Sequence, residues 1–228
     1  MRGSIMIKIK NREGKVIAAF PYESLAGLDL QGSNFQDAVL EGLSFEGSNL
    51  KDAIFKGAKL IGVNLQSAVL RWADFEGTTV YKSNLQGVHL RGSNLAAAEF
   101  FDTNFKGAHM EGVIVSNTRF IRSDLRDVNF YHSPLAGAEF LDCHFSKTQY
   151  KGDTLSHAPL HLLGLHWTVV ITDNKMTIGC QTHTHDVWRS TPDSRIGMMD
   201  DYALPFWLTH KDALLALCAI HAQGNRSA

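Results

Sequence analysis

The chain has 228 residues, is 44% apolar and carries a net charge of −1, enough to bury a sizeable core without disulfide staples. The charge is uneven, +4 over residues 1–20, −4 over 21–155 and −1 over 156–228; this excludes the basic footprint of a nucleic-acid binder and the strongly acidic surface of a protein that imitates one. Three widely spaced cysteines, Cys143, Cys180 and Cys218, fit a reducing compartment, so a cytoplasmic protein is expected. No apolar run approaches the roughly 20 residues of a membrane helix, and the opening MRGSIMIKIKNREGK has no signal-peptide core before its charges. Neither secretion by that route nor a membrane partner is expected. The leading MRGS fits a cloning scar ahead of a start at Met6.

In chain order, residues 5–20 read as a β-hairpin: IMIKIK alternates, NREG turns and KVIAAF returns. A period of five then takes over. All 27 multiples of five from Leu25 to Leu155 are apolar: 13 Leu, 10 Phe, two Val, Met110 and Tyr150. Two residues before each large one, from Ser33 to Thr148, only Leu43 of 24 residues is larger than Val; two residues after it, 13 of 26 are glycine. Five residues smear around a helix and flip faces on a strand, so the chain must turn a corner every five residues. It winds as a solenoid with one large and one small side chain inside per side, and glycine supplies the tight backbone.

Runs such as SNLKDAIFKGAKL and SNLQGVHLRGSNL resemble the pentapeptide-repeat family, whose usual unit is A(D/N)LXX. The resemblance spans residues 25–155 without an insertion. It implies a mainly β fold, a right-handed quadrilateral parallel β-helix with four units per coil, here six to seven coils. Three segments are expected: an N-terminal hairpin cap over 1–20, the β-helix over 21–155 and a small C-terminal α+β region over 156–228. One branch of the family binds type II topoisomerases as a DNA mimic. Sorted into columns 20 apart, however, the outward residues form no continuous acidic stripe: one face mixes signs (Lys59, Glu99, Arg119, Glu139), another is slightly basic (Lys51, Arg71, Arg91), and a third sets Asp37, Asp74 and Glu76 against Lys56.

The same sorting singles out an apolar line. Just after the inward residue, in a phase that should face water, stand Ile61, Tyr81, Phe101, Ile121 and Leu141, spaced by 20, with Tyr131 as the one large apolar residue out of column. A three-sided coil would scatter these five, so the spacing independently argues for four sides. An apolar line of this kind marks a contact surface. Three occupants are open: a helix over about 204–222 laid along it through Trp207, Leu214 and Leu217, a second copy of the chain, or a foreign protein. The charges beside it, Lys82, Asp102, Arg122 and Asp142, alternate in sign.

Beyond Leu155 the period stops. HWTVVITDNKMTIGC, residues 166–180, reads as a hairpin turning at Asp173 and Asn174; Thr191 and Pro192 open a short helix to about Met199, and a longer one runs from Ala203 or Pro205 to Ala222. GCQTHTHDVW with LLALCAIHA resembles the tails of pentapeptide proteins encoded by bacteriophages and prophages, a likeness that implies no activity. Two CxxH pairs, Cys180 with His183 and Cys218 with His221, have the residue types for a tetrahedral Cys2His2 zinc site, and Cys180 with His183 or His185 those of a base-assisted thiolate. The bland reading of both is a buried small cysteine. No phosphate-cradling glycine loop, HExxH motif or Ser–His–acid arrangement appears, so no enzyme and no obligatory cofactor is expected. The expected function is a non-catalytic protein-binding scaffold, working with a protein partner or as a homodimer; the alternatives are a DNA-mimic modulator of gyrase and a zinc-stabilised or cysteine-dependent tail.

Overall fold

A period of five becomes structure through one backbone angle. In the computed structural model, which describes residues 6–162 and 164–223, every position two after an inward residue from Gly27 to Lys147 has a positive φ, whether or not it is glycine. This left-handed residue is the corner of the coil. Glycine adopts it freely, and Asp or Asn tolerates it, which accounts for Asp37, Asp52 and Asn117 at non-glycine corners. Ala97 has no such excuse at φ +55°. Ala97→Gly should therefore stabilise the rod by about 0.5–1 kcal/mol. Gly92→Ala, at φ +72° with a Cβ that would sit 2.6 Å from Trp72 Cδ1, should cost about 1–2 kcal/mol and displace the indole. Urea titration of both variants checks the pair.

The residue before the inward one explains the Asn and Asp of the repeat. Asn34 Oδ1 accepts the amide of Gln36 at 2.8 Å and Asn64 Oδ1 that of Gln66 at 3.1 Å, short Asx turns that start each corner. Their amide groups then reach across coils: Asn84 Nδ2 donates to Asn64 Oδ1 at 3.3 Å and Asn104 Nδ2 to Asn84 Oδ1 at 3.1 Å. The small inward residue is equally purposeful. Buried Thr78, Ser93, Thr118 and Ser133 donate their hydroxyls to the carbonyls of Phe55, Leu70, Leu95 and Met110, 23 residues earlier, at 2.6–2.7 Å. Small size admits the side chain, and the bond satisfies a buried oxygen that would otherwise cost about 1–3 kcal/mol.

The regular extended segments are β1 (Ile7–Asn11), β2 (Val16–Phe20), β3 (Ala38–Glu41), β4 (Lys59–Ile61), β5 (Thr79–Tyr81), β6 (Glu99–Phe101), β7 (Arg119–Ile121), β8 (Glu139–Leu141) and β9 (Thr148–Tyr150). From β3 to β8 each strand pairs in parallel with its equivalent in the next coil. Bridges such as Asp29↔Asn49, Asn34↔Ile54 and Ser44↔Asn64 mark the other three sides, so four sides close each coil. One column, Asp29 to Gln149, is bridged in parallel through six successive steps of 20 residues. Phe140 and Phe145 are only half-buried, as befits a coil with no further coil in register.

Inside, phenylalanines form columns: Phe35, Phe55 and Phe75 stack at 5.1 and 4.7 Å, and Phe100, Phe120 and Phe140 at 5.2 Å each. The first coil is closed by the hairpin, as the sequence suggested. β1 pairs antiparallel with β2 and, through Lys10↔Val39 and Asn11↔Ala38, with β3; Arg12 donates to Gly57 O at 2.7 Å. The exposed edge of a parallel stack is thus covered by two further strands. The MRGS segment lies outside the described residues.

The chain divides into two compact units at Gly152 and Asp153. The second holds β10 (Asp153–Leu155), β11 (Leu160–Leu162), β12 (Val169–Ile171), β13 (Lys175–Ile178), β14 (Gln181–Thr184), α1 (His185–Ser190), α2 (Asp193–Ile196) and α3 (Ala203–Gln223). β11 to β14 form an antiparallel sheet in sequence order. The β12–β13 hairpin and its turn match the sequence reading; β11, β14 and α1 escaped it. Short polar runs such as QTHT and HDVWRS carry too little periodicity to be read alone.

Val169, Ile171 and Met176 of the sheet pack with Trp188, Trp207 and Leu214 of the helices. Trp188 Nε1 donates to Met176 O at 2.6 Å, and Trp207 Nε1 to Asp193 Oδ1 at 3.2 Å. One expectation needs correction: α3 is, by length and composition, apolar enough to cross a membrane. Its apolar content reflects two faces. Phe206, Trp207, Leu214 and Cys218 are buried in this unit's core, while Leu208 and Ile220 remain exposed.

Candidate functional site

On the rod, strand register decides which outward residues meet. Ile61↔Tyr81, Tyr81↔Phe101, Phe101↔Ile121 and Ile121↔Leu141 are paired residue for residue through β4 to β8, so all five residues of the apolar line stand in one ladder, about 4.8 Å apart per step. Their exposure is graded. Leu141 is 50% and Tyr81 37% exposed, Ile61 and Phe101 are half-buried, and Ile121 is buried at 8%. Ile121 therefore departs from the expectation of a water-facing side chain; a short branched group projects less far than the Phe101 ring beside it. Tyr81 and Phe101 approach with ring centroids at 6.4 Å.

Ion-pair ladders flank the line. Two residues before it, Arg119 binds Glu99 at 2.8 Å and Glu139 at 3.0 Å across three coils. Immediately after it, Arg122 grips Asp102 with two bonds of 2.8 and 3.1 Å, and this guanidinium holds the Asp102 carboxyl below the usual carboxylate range. Lys82 Nζ lies 5.1 Å from the Tyr81 ring centroid. The result is an apolar strip between two charge-compensated rails.

Three residues were named for a covering helix. Trp207 and Leu214 are 1% and 2% exposed within the core of the second unit, and Leu217 packs against that core.

Sequence reasoning missed a second feature of the rod. Trp72, itself at a left-handed corner and 49% exposed, lies against Gly92 one coil on and has the Lys51 ammonium and the Arg71 guanidinium over its ring, 5.0 and 4.8 Å from the centroid. Beside it His89 and His109 stack face to face at 4.6 Å; burial, then its neighbour His109, holds His89 below the ordinary imidazole range. A groove of about 690 Å³ runs past Trp72, Arg91, Glu111 and Tyr131. The signal was present as spacings of 20 from Arg71 through Arg91 and Glu111 to Tyr131 and between His89 and His109, but Trp72 occupies a different phase.

The four residues of the zinc reading are dispersed in the second unit. Cys180 is exposed in the β13–β14 turn, and His183 packs edge-on against Trp188 with ring centroids 5.1 Å apart. Cys218 is buried with its Sγ 3.7 Å from Met176 Sδ, and burial pushes its thiol up to about 11. His221 instead meets His157, with ring centroids 4.0 Å apart; burial and then His157 push it down to about 4. His185, the other base considered for Cys180, is buried at the start of α1. Among the described residues, the group of candidate ligands that does assemble is His157, Asp173 and His221.

A four-sided solenoid whose interior is filled by its own side chains, and whose chemistry is displayed in columns that repeat once per coil, defines a class of repeat proteins that work through their outer faces. The pentapeptide-repeat family model, described as pentapeptide repeats, matches residues 24–57, 44–80, 81–117 and 103–140, and the chain belongs to this family. Among solved structures it is similar to trypsin-treated QnrB1, a plasmid-mediated fluoroquinolone resistance protein, with 19% identity over 55% of this chain and 64% of that one and a TM-score of 0.52. It also matches a pentapeptide repeat protein from the Arabidopsis thaliana thylakoid lumen (23% identity, 56% and 71% covered, TM-score 0.24) and HetL from Nostoc sp. strain PCC 7120, involved in heterocyst differentiation regulation (22%, 54% and 62%, 0.23). This chain thus spans just under two thirds of the length of QnrB1, and at such identities the likeness concerns the fold. No curated protein sequence matches.

Proposed function

We propose that the protein is a non-catalytic, cytoplasmic scaffold that binds a protein partner through the face centred on Ile61, Tyr81, Phe101, Ile121 and Leu141. The observation that carries this reading is the residue-for-residue stacking of five large apolar side chains on one ladder, with Tyr81 and Leu141 still open to solvent. Five large apolar side chains placed in the outward phase by chance would not share a register. The flanking rails support it from the other side: Arg119 and Arg122 have their carboxylates beside them, so burying the strip leaves no unpaired charge from these groups under a partner.

Phe101 is the anchor to test. Phe101→Glu in this 228-residue chain should weaken partner capture by about 2 kcal/mol, roughly 30-fold, the scale of an interface hot spot. A pull-down comparing this variant with the wild type reads the effect, and light scattering reads the self-association arm, in which the wild-type mass falls by half in the variant. Unchanged capture together with unchanged mass would sink the proposal.

A second reading, modulation of gyrase, draws on the likeness of the solenoid to QnrB1. Its acids weigh against it: Glu76 pairs with Lys56, Glu99 and Glu139 with Arg119, and Asp124 with Arg126, whereas an imitation of duplex DNA needs a run of uncompensated negative charge. Inhibition or protection of gyrase supercoiling at micromolar protein would favour this reading; no effect at saturating protein removes it.

A further inference from the structure

The strongest concentration of unused chemistry lies in the second unit. His157 sits between β10 and β11, Asp173 in the β12–β13 turn and His221 in the last turn of α3. Each offers a ligand atom, and all three atoms lie within 4.8 Å of one another. The carboxylate is recessed, with 16% of the Asp173 side chain exposed and 25% of the His157 side chain.

Among the described residues, four buried polar atoms here have no hydrogen-bond partner, His157 Nε2, Asp173 Oδ1, His221 Nε2 and His185 Nε2, although Asp173 Oδ1 lies 3.4 Å from His157 Nδ1. His185 is 9% exposed and is held beside the same turn by its amide, which donates to Asn174 O at 3.1 Å. Each such atom left unmatched costs about 1–3 kcal/mol. Those of His157, Asp173 and His221 belong to residues whose ligand atoms converge within 4.8 Å, and they ask for a common partner.

The donor set identifies that partner's chemistry. Two imidazole nitrogens and a carboxylate oxygen are all ligands for a borderline divalent ion, which binds nitrogen and oxygen at about 2.0–2.2 Å. A tetrahedral shell of that radius sets ligand atoms roughly 3.3 Å apart, so the group needs only modest side-chain rotation to close. An outer shell is already built. Asp173 Oδ2 accepts the amide and the hydroxyl of Ser156, each at 2.7 Å, and Ser156 Oγ lies 3.0 Å from His157 Nδ1. These bonds orient both ligands and leave Asp173 Oδ1 and His157 Nε2 unengaged by hydrogen bonds, the pattern of support that metal ligands normally receive.

We propose that His157, Asp173 and His221 form a site for one divalent transition-metal ion of the zinc class, with His185 adjacent for the fourth position, tying the end of α3 to the β12–β13 turn. The site shares His221 with the Cys2His2 reading and uses neither cysteine.

The test uses the full chain, stripped with a chelator and then given zinc chloride alone. Elemental analysis after gel filtration should find about one zinc per chain, and the unfolding temperature should rise with zinc. With cobalt(II) as probe, the wild type should show visible bands of a four-coordinate nitrogen and oxygen site without a thiolate-to-cobalt charge-transfer band in the near ultraviolet. Asp173→Asn and His221→Gln should each weaken zinc binding at least about 10-fold, while Cys180→Ala should leave it unchanged. Circular dichroism without metal checks that the variants fold; should one of them not fold, the wild-type stoichiometry and cobalt spectrum decide. A folded wild type that retains no zinc, a thiolate band, or folded Asp173→Asn and His221→Gln variants that bind like the wild type would each overturn the proposal.

Discussion

Ile121→Glu is expected to destabilise the solenoid by about 3 kcal/mol or more, while Phe101→Glu, one coil away in the same ladder, should change stability by no more than about 1 kcal/mol. The two residues were equivalent in the sequence, being of the same phase, the same column and consecutive coils. In the structure Ile121 is 8% exposed and Phe101 half-buried. A carboxylate at 121 has little water to reach and displaces a well-packed side chain; at 101 it loses a partial ring contact with Tyr81, at 6.4 Å between centroids, and remains hydrated. Chemical denaturation of both variants reads the difference. Equal and small effects would mean that Ile121 is as open as its neighbours. The contrast bears on function, because only Phe101→Glu separates partner binding from folding.

Phe120→Ala should lower stability by about 3–5 kcal/mol, the range for removing a fully buried aromatic ring, and the melting temperature by on the order of 10 °C. Phe120 is wholly buried at the centre of the interior column, with Phe100 and Phe140 stacked at 5.2 Å on either side and Phe105 and Phe130 edge-on at 5.7 and 6.5 Å. Neighbouring coils are held at the strand spacing by backbone bonds and cannot close over the missing ring, so the cavity persists. Calorimetry gives the value directly. A loss of less than half the lower bound would show that the coils relax around the gap.

The two units were unequally legible, for a physical reason. In the solenoid each residue's environment is set by its phase within five and its column within 20, so Phe100 inward, Phe101 outward and Ser93 at the close-approach position follow from counting alone. What counting missed there was the backbone: the corner at Ala97 or Trp72 is left-handed because the coil demands it, not because the residue favours it. In the second unit contacts join distant segments without a period. Nothing in the placing of His157, Asp173 and His221 along the chain announces that they meet, whereas the CxxH pairs looked like ligands and stayed apart.

The sequence by itself determined the architecture of the rod, its four sides and the membership of the apolar column, because a strict repeat turns one-dimensional spacing into three-dimensional neighbourhood. Only the tertiary structure decided how deeply each member of that column sits, that Trp207 and Leu214 of α3 belong to the core of the second unit, and which histidines share a site. Exposure and convergence depend on atoms contributed by segments remote in the chain, and a local pattern contains no record of them.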